Sequence, residues 1–445
     1  TLEHANTATH LLFSLNNVRG ITLKDMTFDN NSSYSPHESF FITNCDSVNV
    51  TSCRFESYNP SINNYYYYTD KLKIENSTGC SITNNDFSYS ASIIVKASST
   101  SIYNTVNITG NINIRSSYGI YIESDYSWVG ALGGKFIIKN NHINGAKRAI
   151  YANCGSNNND TLLLTGNTID NGQGGTNDYN YFYFGDQDHV VVKENIFNND
   201  NFIYVEGYVD SIVGNQILNV ENKSAIPINY GNTFIANNYI HTKGQLESKA
   251  IYLSSNSSLS GTVIAHNSIE NSGTAGASSY GLYLAGDVSN ITVKNNIFST
   301  IGGGTPLFVA STLTNPDWDY NCYYTTGNSI ANFNNSNYSS VSALGAAMGS
   351  DANSLNVNPF YVSDTNLTVN QSQLQTGTLL ASAPLDINGT SRTNPTTMGA
   401  KEFVFCSDDA GINSIVNPTS PLSSNTNNIE VLLSNQGSNP LTSVS

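Results

Sequence analysis

The sequence predicts an all-β fold, a right-handed parallel β-helix of about twelve coils, and three observations predict it. A motif of the form apolar-x-x-Asn-x-apolar recurs along most of the chain at spacings of roughly 20 to 32 residues, a solenoid period. A short apolar-x-apolar triplet precedes each copy by roughly 12 to 20 residues, which is strand-like alternation. Finally, 66 of the 445 residues are Asn while charged residues make up only 11%, against about 25% in an ordinary soluble domain. Strands this short, with Gly and Asn between them, cannot close a sandwich locally, but they can stack.

The triplets come first in each coil. They read Phe40-Phe41-Ile42, Leu72-Lys73-Ile74 and Ile93-Ile94-Val95, then Ile120-Tyr121-Ile122 and, later, Phe182-Tyr183-Phe184, Ile203-Tyr204-Val205, Ile251-Tyr252-Leu253 and Leu282-Tyr283-Leu284. Alternation places the outer two residues in the core and the middle one outside. The Asn motif follows, as in Ile82 to Phe87, Ile138 to Ile143, Leu164 to Ile169, Ile235 to Ile240 and Val293 to Phe298. Its asparagines, Asn85, Asn111, Asn141, Asn167, Asn195, Asn215, Asn238, Asn267, Asn296 and Asn321, are expected above one another at a turn. Asn tolerates a left-handed backbone, and stacked amides can bond along the stack.

Regularity fades after Tyr338, so the β-helix is assigned to residues 1–338. A solenoid end leaves unpaired strand edges and requires a cap. Residues 339–405 are the candidate, with a short helix expected over Ser342 to Met348, then Asp386-Ile387-Asn388-Gly389-Thr390-Ser391-Arg392 and Met398-Gly399-Ala400-Lys401-Glu402-Phe403. Residues 406–445 read as a truncated module or linker with two strands, within Asp409 to Ser420 and Ile429 to Gly437. Two strands cannot bury a core, so the sequence reads as part of a longer polypeptide; its abrupt start inside a coil at Leu11 to Leu15 says the same.

The Asn-rich coils, the D-I-x-G-x-x-R … G-A-x-E-F ending and the strands around Ile412 and Leu432 resemble secreted parallel β-helix proteins of Bacteroidota, multidomain surface proteins of the type IX secretion route. The resemblance implies an extracellular or cell-surface location, an adhesin-like role, and an Ig-like β-sandwich module beginning in residues 406–445. It also implies O-glycosylation at Asp-Ser/Thr-apolar triplets, whose acceptors here are Ser47, Thr161 and Ser211. Asn358 departs from the family pattern, which often has Asp before the proline.

Charge and cysteine content exclude other classes. Lys plus Arg number 18 and Asp plus Glu 33, a net charge of −15, so no basic stripe for nucleic acid exists. No run of 18 apolar residues offers a membrane-spanning helix. A signal peptide is absent or already removed from this sequence. Six cysteines, without CxxC or His-containing metal spacing, read as mostly small buried residues.

Two candidate sites follow. The outward positions of successive triplets are aromatic at Tyr121, Tyr151, Tyr183, Tyr204, Tyr252, Tyr283 and Phe308, and such a stripe can bind sugars or a partner surface. The same residues equally serve cross-strand packing. The second candidate is acidic: Asp186 and Asp188, with Lys193 nearby, could hold Ca2+ or, as a catalytic set, act on an acidic polysaccharide in a lyase or glycoside hydrolase. Against catalysis, no complete hydrolase or lyase set is legible on the coils; His142, His189, His241 and His266 read as turn residues. The expected function is therefore a non-catalytic extracellular rod that spaces other domains of a longer chain and binds glycans or surface partners.

Overall fold

The computed structural model describes residues 2–3, 13–30, 40–57, 71–87, 92–97, 104–114, 118–124, 134–144, 148–153, 161–170, 181–185, 189–199, 201–205, 209–229, 232–254, 259–274, 278–286, 288–310, 313–403, 410–417 and 429–435. These form a parallel β-helix with three faces. The triplets make the first face, a 14-stranded sheet that runs from Phe13–Asn16 to Ala331–Phe333 in parallel, with Ser336–Tyr338 added antiparallel at its end. The second face has 12 strands, from Thr22–Lys24 to Asp317–Asp319, and from Cys80–Thr83 onward each ends just before the motif asparagine of its coil.

The third face follows the asparagine and is broken. Three strands lie at its start and eight more run from His142–Asn144 to Cys322–Thr325. Between them, the pairing on that side among the described residues is single bridges at Asp86, Ile112 and Ile114. The uninterrupted three-faced stretch, from His142–Asn144 to Cys322–Thr325, is therefore about eight turns long, fewer than the twelve coils that the repeat spacing predicts.

Inside, columns of Ile, Leu, Val and Phe from all three faces make one core that runs from Phe28 to Leu344. At the corner between the second and third faces, the ten motif asparagines stack as expected, Asn321 included, and all are essentially buried. Each backbone N–H donates to the Oδ1 of the next asparagine at 2.9–3.1 Å, and each Nδ2 donates to that same Oδ1 at 2.9–3.0 Å. The second Nδ2 hydrogen goes to a carbonyl of the preceding coil, as from Asn111 to Ile82 and from Asn167 to Ile138. The amides are thus satisfied without water, as burial requires.

The left-handed backbone falls one residue earlier than the sequence suggests. The residue before each motif asparagine has positive φ: Asn84, Gly110, Asn140, Gly166, Glu194, Gly214, Asn237, His266, Asn295 and Tyr320. The chain turns there so that the following asparagine points inward. Asn and Gly partly alternate in this column for a steric reason. A Cβ on Gly110 would overlap Asn84 Oδ1, and one on Gly166 would overlap Asn140 Oδ1.

The C-terminal end is closed by helix α1 (Val341–Met348), capped by Ser340 Oγ on Ala343 N at 3.4 Å and ended by left-handed Gly349. Leu344 is buried, and Val341 and Met348 pack on the same core. The rest of the expected cap does not sit on the end of the rod. From Ser350 onward the chain adds one partial rung and then folds back as a strap along the outside of the third face. The reason lies in the outward positions of that face: Tyr239, Ser268, Ile297 and Cys322, in register, are all buried. Strap residues Leu367, Val369, Leu374, Met398 and Ala400 cover them in two small apolar clusters.

Residues 410–417 and 430–435 pair as an antiparallel hairpin, the two strands expected there, with no further strand paired to it among the described residues.

Candidate functional site

The outward column of the first face is continuous. Phe41, Lys73, Ile94, Tyr121, Tyr151, Tyr183 and Tyr204 pair in successive strands, and Pro227, Tyr252, Tyr283 and Phe308 continue them. Tyr183 has its backbone in register, while its side chain lies outside the described residues. Outward does not mean exposed throughout: Ile94 and Tyr121 are 1% and 5% accessible. Tyr151, Tyr204, Tyr252, Tyr283 and Phe308 are half-buried.

Ring geometry decides what the column presents. Tyr121 and Tyr151 stack at 5.0 Å with planes 10° apart, and Tyr283 and Phe308 at 4.5 Å and 10°. Coils repeat at about 4.8 Å, so rings stacked this way turn their faces to each other along the rod and their edges to solvent. Tyr252 breaks the pattern, meeting Tyr283 edge-on at 5.4 Å and 75°. Lys249 fills the angle: its Nζ lies 4.2 Å from the Tyr252 ring centre and 4.5 Å from that of Tyr283, with the Glu247 carboxylate 2.9 Å away. With Tyr280 packed edge-on to Tyr283 and Phe308 at 4.9 and 5.2 Å, the four rings form a cluster around one neutralised ammonium. Burial raises the Tyr280 and Tyr283 phenols above their ordinary range, so both stay protonated. The cluster can offer hydroxyl donors and acceptors, C–H edges and a compensated charge. The tyrosines were legible in the sequence; Lys249 was not, because its place beside the rings depends on the path of the strand.

Asp186 and Asp188 lie outside the described residues. Lys193 ends a strand of the second face, exposed, 3.0 Å from Glu194. Among the described residues no group of three or more His, Cys, Asp or Glu side chains is placed to hold a metal ion.

The histidines correct their reading as turn residues. His142, His189 and His241 lie in strands, and only His266 sits at a left-handed corner. His142 Nε2 is 2.8 Å from Asp170, and His189 Nδ1 is 3.0 Å from Asp210. His241 is buried between Asn219 and Ser272, so burial lowers its pKa.

Of the modification candidates, Ser47 is exposed in a left-handed turn, its hydroxyl donating to Asp46 at 2.8 Å. Thr161 and Ser211 are half-buried at the starts of second-face strands. Cys45, Cys53, Cys80 and Cys322 are free and buried. Burial pushes the thiols of Cys80 and Cys322 up to about 11 and about 12, which makes them poor nucleophiles. Cys154 and Cys406 lie outside the described residues.

The strap contains the one fully buried ion pair among the described residues, which the D-I-x-G-x-x-R … G-A-x-E-F residues build. Arg392 Nη1 meets Glu402 at 3.2 Å, both side chains wholly inaccessible. Arg392 Nη2 donates to Asn237 Oδ1, Gly399 O and Ala400 O at 2.8–3.1 Å, and Asp386 accepts from the backbone of Asn388, Thr390 and Glu402 at 2.8–2.9 Å. Asn237 and Asn295, corner residues of the rod, bond Leu385 and Thr378 of the strap. This chemistry holds the strap to the coils. A cavity of about 560 Å3 opens between the start of α1 and the strap, lined by Ser340, Ser354, Asn356, Gln373 and their neighbours, none of them ionisable.

The sequence matches no protein-family model and no curated protein.

Proposed function

We propose that this chain is a non-catalytic, extracellular or cell-surface β-helical rod that spaces other domains of a longer polypeptide and contacts glycans or surface partners along its first face, an adhesin-like role. The observation that carries the reading is the buried asparagine ladder, unbroken from Asn85 to Asn321, which spends the most regular polar chemistry of the chain on stiffness. A shape with one continuous core and an in-register ladder resists bending and keeps its ends at a fixed separation.

The contact surface is the cluster of Tyr252, Tyr280, Tyr283 and Phe308 about Lys249. Its lysine is already neutralised by Glu247, and the chain carries a net charge of −15. Both features favour a neutral sugar over an acidic one. Edges and hydroxyls, not ring faces, make the contact.

Retention on immobilised neutral and uronate polysaccharides tests the binding. The expected result is retention on a neutral glycan, weakened severalfold in Tyr252→Ser with Tyr283→Ser while circular dichroism stays unchanged. Equal retention of the folded double variant overturns the assigned surface. Release of reducing ends or unsaturated products by the unmodified protein overturns the non-catalytic reading.

A further inference from the structure

We propose that Asp351 is a proton-operated latch on the C-terminal end of the asparagine ladder, holding that end closed more firmly in acid than at neutral pH. This inference does not depend on the proposed function.

The ladder has a direction. Between asparagines every donation, from backbone N–H and from one Nδ2 hydrogen, runs toward the C-terminal end, so the last asparagine, Asn321, presents an N–H that needs a terminal acceptor. Ser354 Oγ supplies it at 2.7 Å and passes its own hydrogen to Asp351 Oδ1. Residues 351–357 form the partial rung that brings these groups there. Asp351 N bonds Trp318 O at 2.9 Å, Leu355 N bonds Asn321 O at 2.7 Å, and Tyr323 N bonds Leu355 O at 2.8 Å. Asp351 thus terminates the ladder, at 2% exposure and with φ 70°, between α1 and the strap.

The second oxygen of its carboxyl, Oδ2, is buried and makes no hydrogen bond of ordinary geometry among the described residues, with only the neutral Tyr323 hydroxyl and Asn321 amide beside it to favour its ionised form. An ionised carboxylate in that position keeps a desolvated, unbonded lone-pair site, which a neutral acid largely escapes. The groups facing it do not supply a counter-charge. Asp319, on the adjacent coil, adds charge of the same sign and is itself engaged by Asn353 and Tyr320 N. Tyr323 stays a neutral phenol, with Trp318 Nε1 on its oxygen at 2.6 Å. Helix α1 and residues 352–357 contain no ionisable side chain. Burial accordingly moves the Asp351 carboxyl from 3.8 to about 6, against the opposing pull of Ser354 and Tyr323.

The sign follows. A carboxyl that binds its proton more tightly when closed stabilises the closed end at low pH, and that contribution is lost as pH rises from about 4 to about 6. His241 and His266, buried neutral further down the rod, act in the opposite direction. The latch must therefore be read locally.

Hydrogen exchange of amides 351–357, corrected for intrinsic exchange, gives that reading in the intact protein. Opening is expected to increase about twentyfold between pH 4.5 and 7.5, levelling off above pH 6, as a shift from 3.8 to about 6 requires. In Asp351→Asn, which keeps the acceptor for Ser354 and tolerates positive φ, opening is expected to stay at the acid level throughout. A flat profile in the unmodified protein, or the same rise in the folded variant, overturns the proposal. Should the variant not fold, the unmodified profile and the emission of Trp318 must share one transition below pH 6; a flat trace in either overturns it.

Discussion

Asn141 and Asn167 are joined twice. The backbone N–H and the Nδ2 of Asn141 both donate to Asn167 Oδ1 at 3.0 Å, and the remaining Nδ2 hydrogen reaches back to Ile108 O at 2.8 Å. One side chain therefore couples three successive windings. Its neighbour Asn140 is exposed, with positive φ and no part in the ladder.

That difference makes a matched pair of variants informative. Asn141→Ala leaves buried donors and acceptors unpaired on both sides, at about 1–3 kcal/mol for each group that finds no water. Asn140→Ala costs only the left-handed backbone, about 1 kcal/mol. Chemical unfolding is expected to show a loss at least twice as large for Asn141→Ala.

Steric complementarity between Asn84 and Gly110 gives a second test. Gly110 has φ 68°, and a Cβ there would overlap Asn84 Oδ1. Gly110→Ala should destabilise by about 1–2 kcal/mol from the backbone alone, and by more through the overlap. Adding Asn84→Gly should recover the overlap part and leave the backbone part, which a double-mutant cycle separates.

The Arg392–Glu402 pair should behave as a buried lock. Glu402→Ala strands a fully buried guanidinium, which typically costs about 3–5 kcal/mol. Loss should be confined to the strap and the coils beneath it. Limited proteolysis is expected to cut within residues 350–403 while strands N-terminal to Asn215 keep their exchange protection. Uniform loss of protection along the rod would refute the assignment.

Acid should loosen the strap through His266. This ring is buried beside Gly399, with Asn295 Nδ2 donating to its Nε2 at 3.0 Å and its Nδ1 unpartnered among the described residues. Burial, then the Arg392 charge, hold its pKa well below 6.5. The unfolded chain therefore binds the proton more readily, and stability falls as pH drops below about 6.5. His266→Asn, matching Asn237 and Asn295 in the same corner column, should flatten the fall in melting temperature between pH 7 and 5.

How much of this was legible follows from whether the signal repeats. The motif asparagines announced a stacked corner because ten copies of one short motif recurred at a solenoid-length interval, and the triplets placed the first face in register for the same reason. The left-handed position was misread by one residue because Asn occupies both sites at Asn84-Asn85, Asn140-Asn141, Asn237-Asn238 and Asn295-Asn296, and local preference cannot choose between them. The break in the third face was invisible, since a bridge and a three-residue strand leave the same apolar mark.

The strap was least legible. Its motif residues stood out, but the sequence suggested a lid on the end of the rod. What sends the chain down the side is an apolar outer column at Ile297 and Cys322, interrupted by Ser268 and Tyr239, and no local pattern ties those positions to Met398 or Leu367. Ring orientation in the aromatic column was equally hidden. Alternation says which side a tyrosine takes, not whether its neighbour covers its face.

Because each winding meets the next through the same amide handshake, the molecule is indifferent to how many windings it has. Excising the stretch from Asn167 to just before Asn195 would bring Asn141 against Asn195 with the partner atoms unchanged. Length can thus drift by whole periods over generations without a new interface being invented, whereas an insertion of half a period would find nothing to grip.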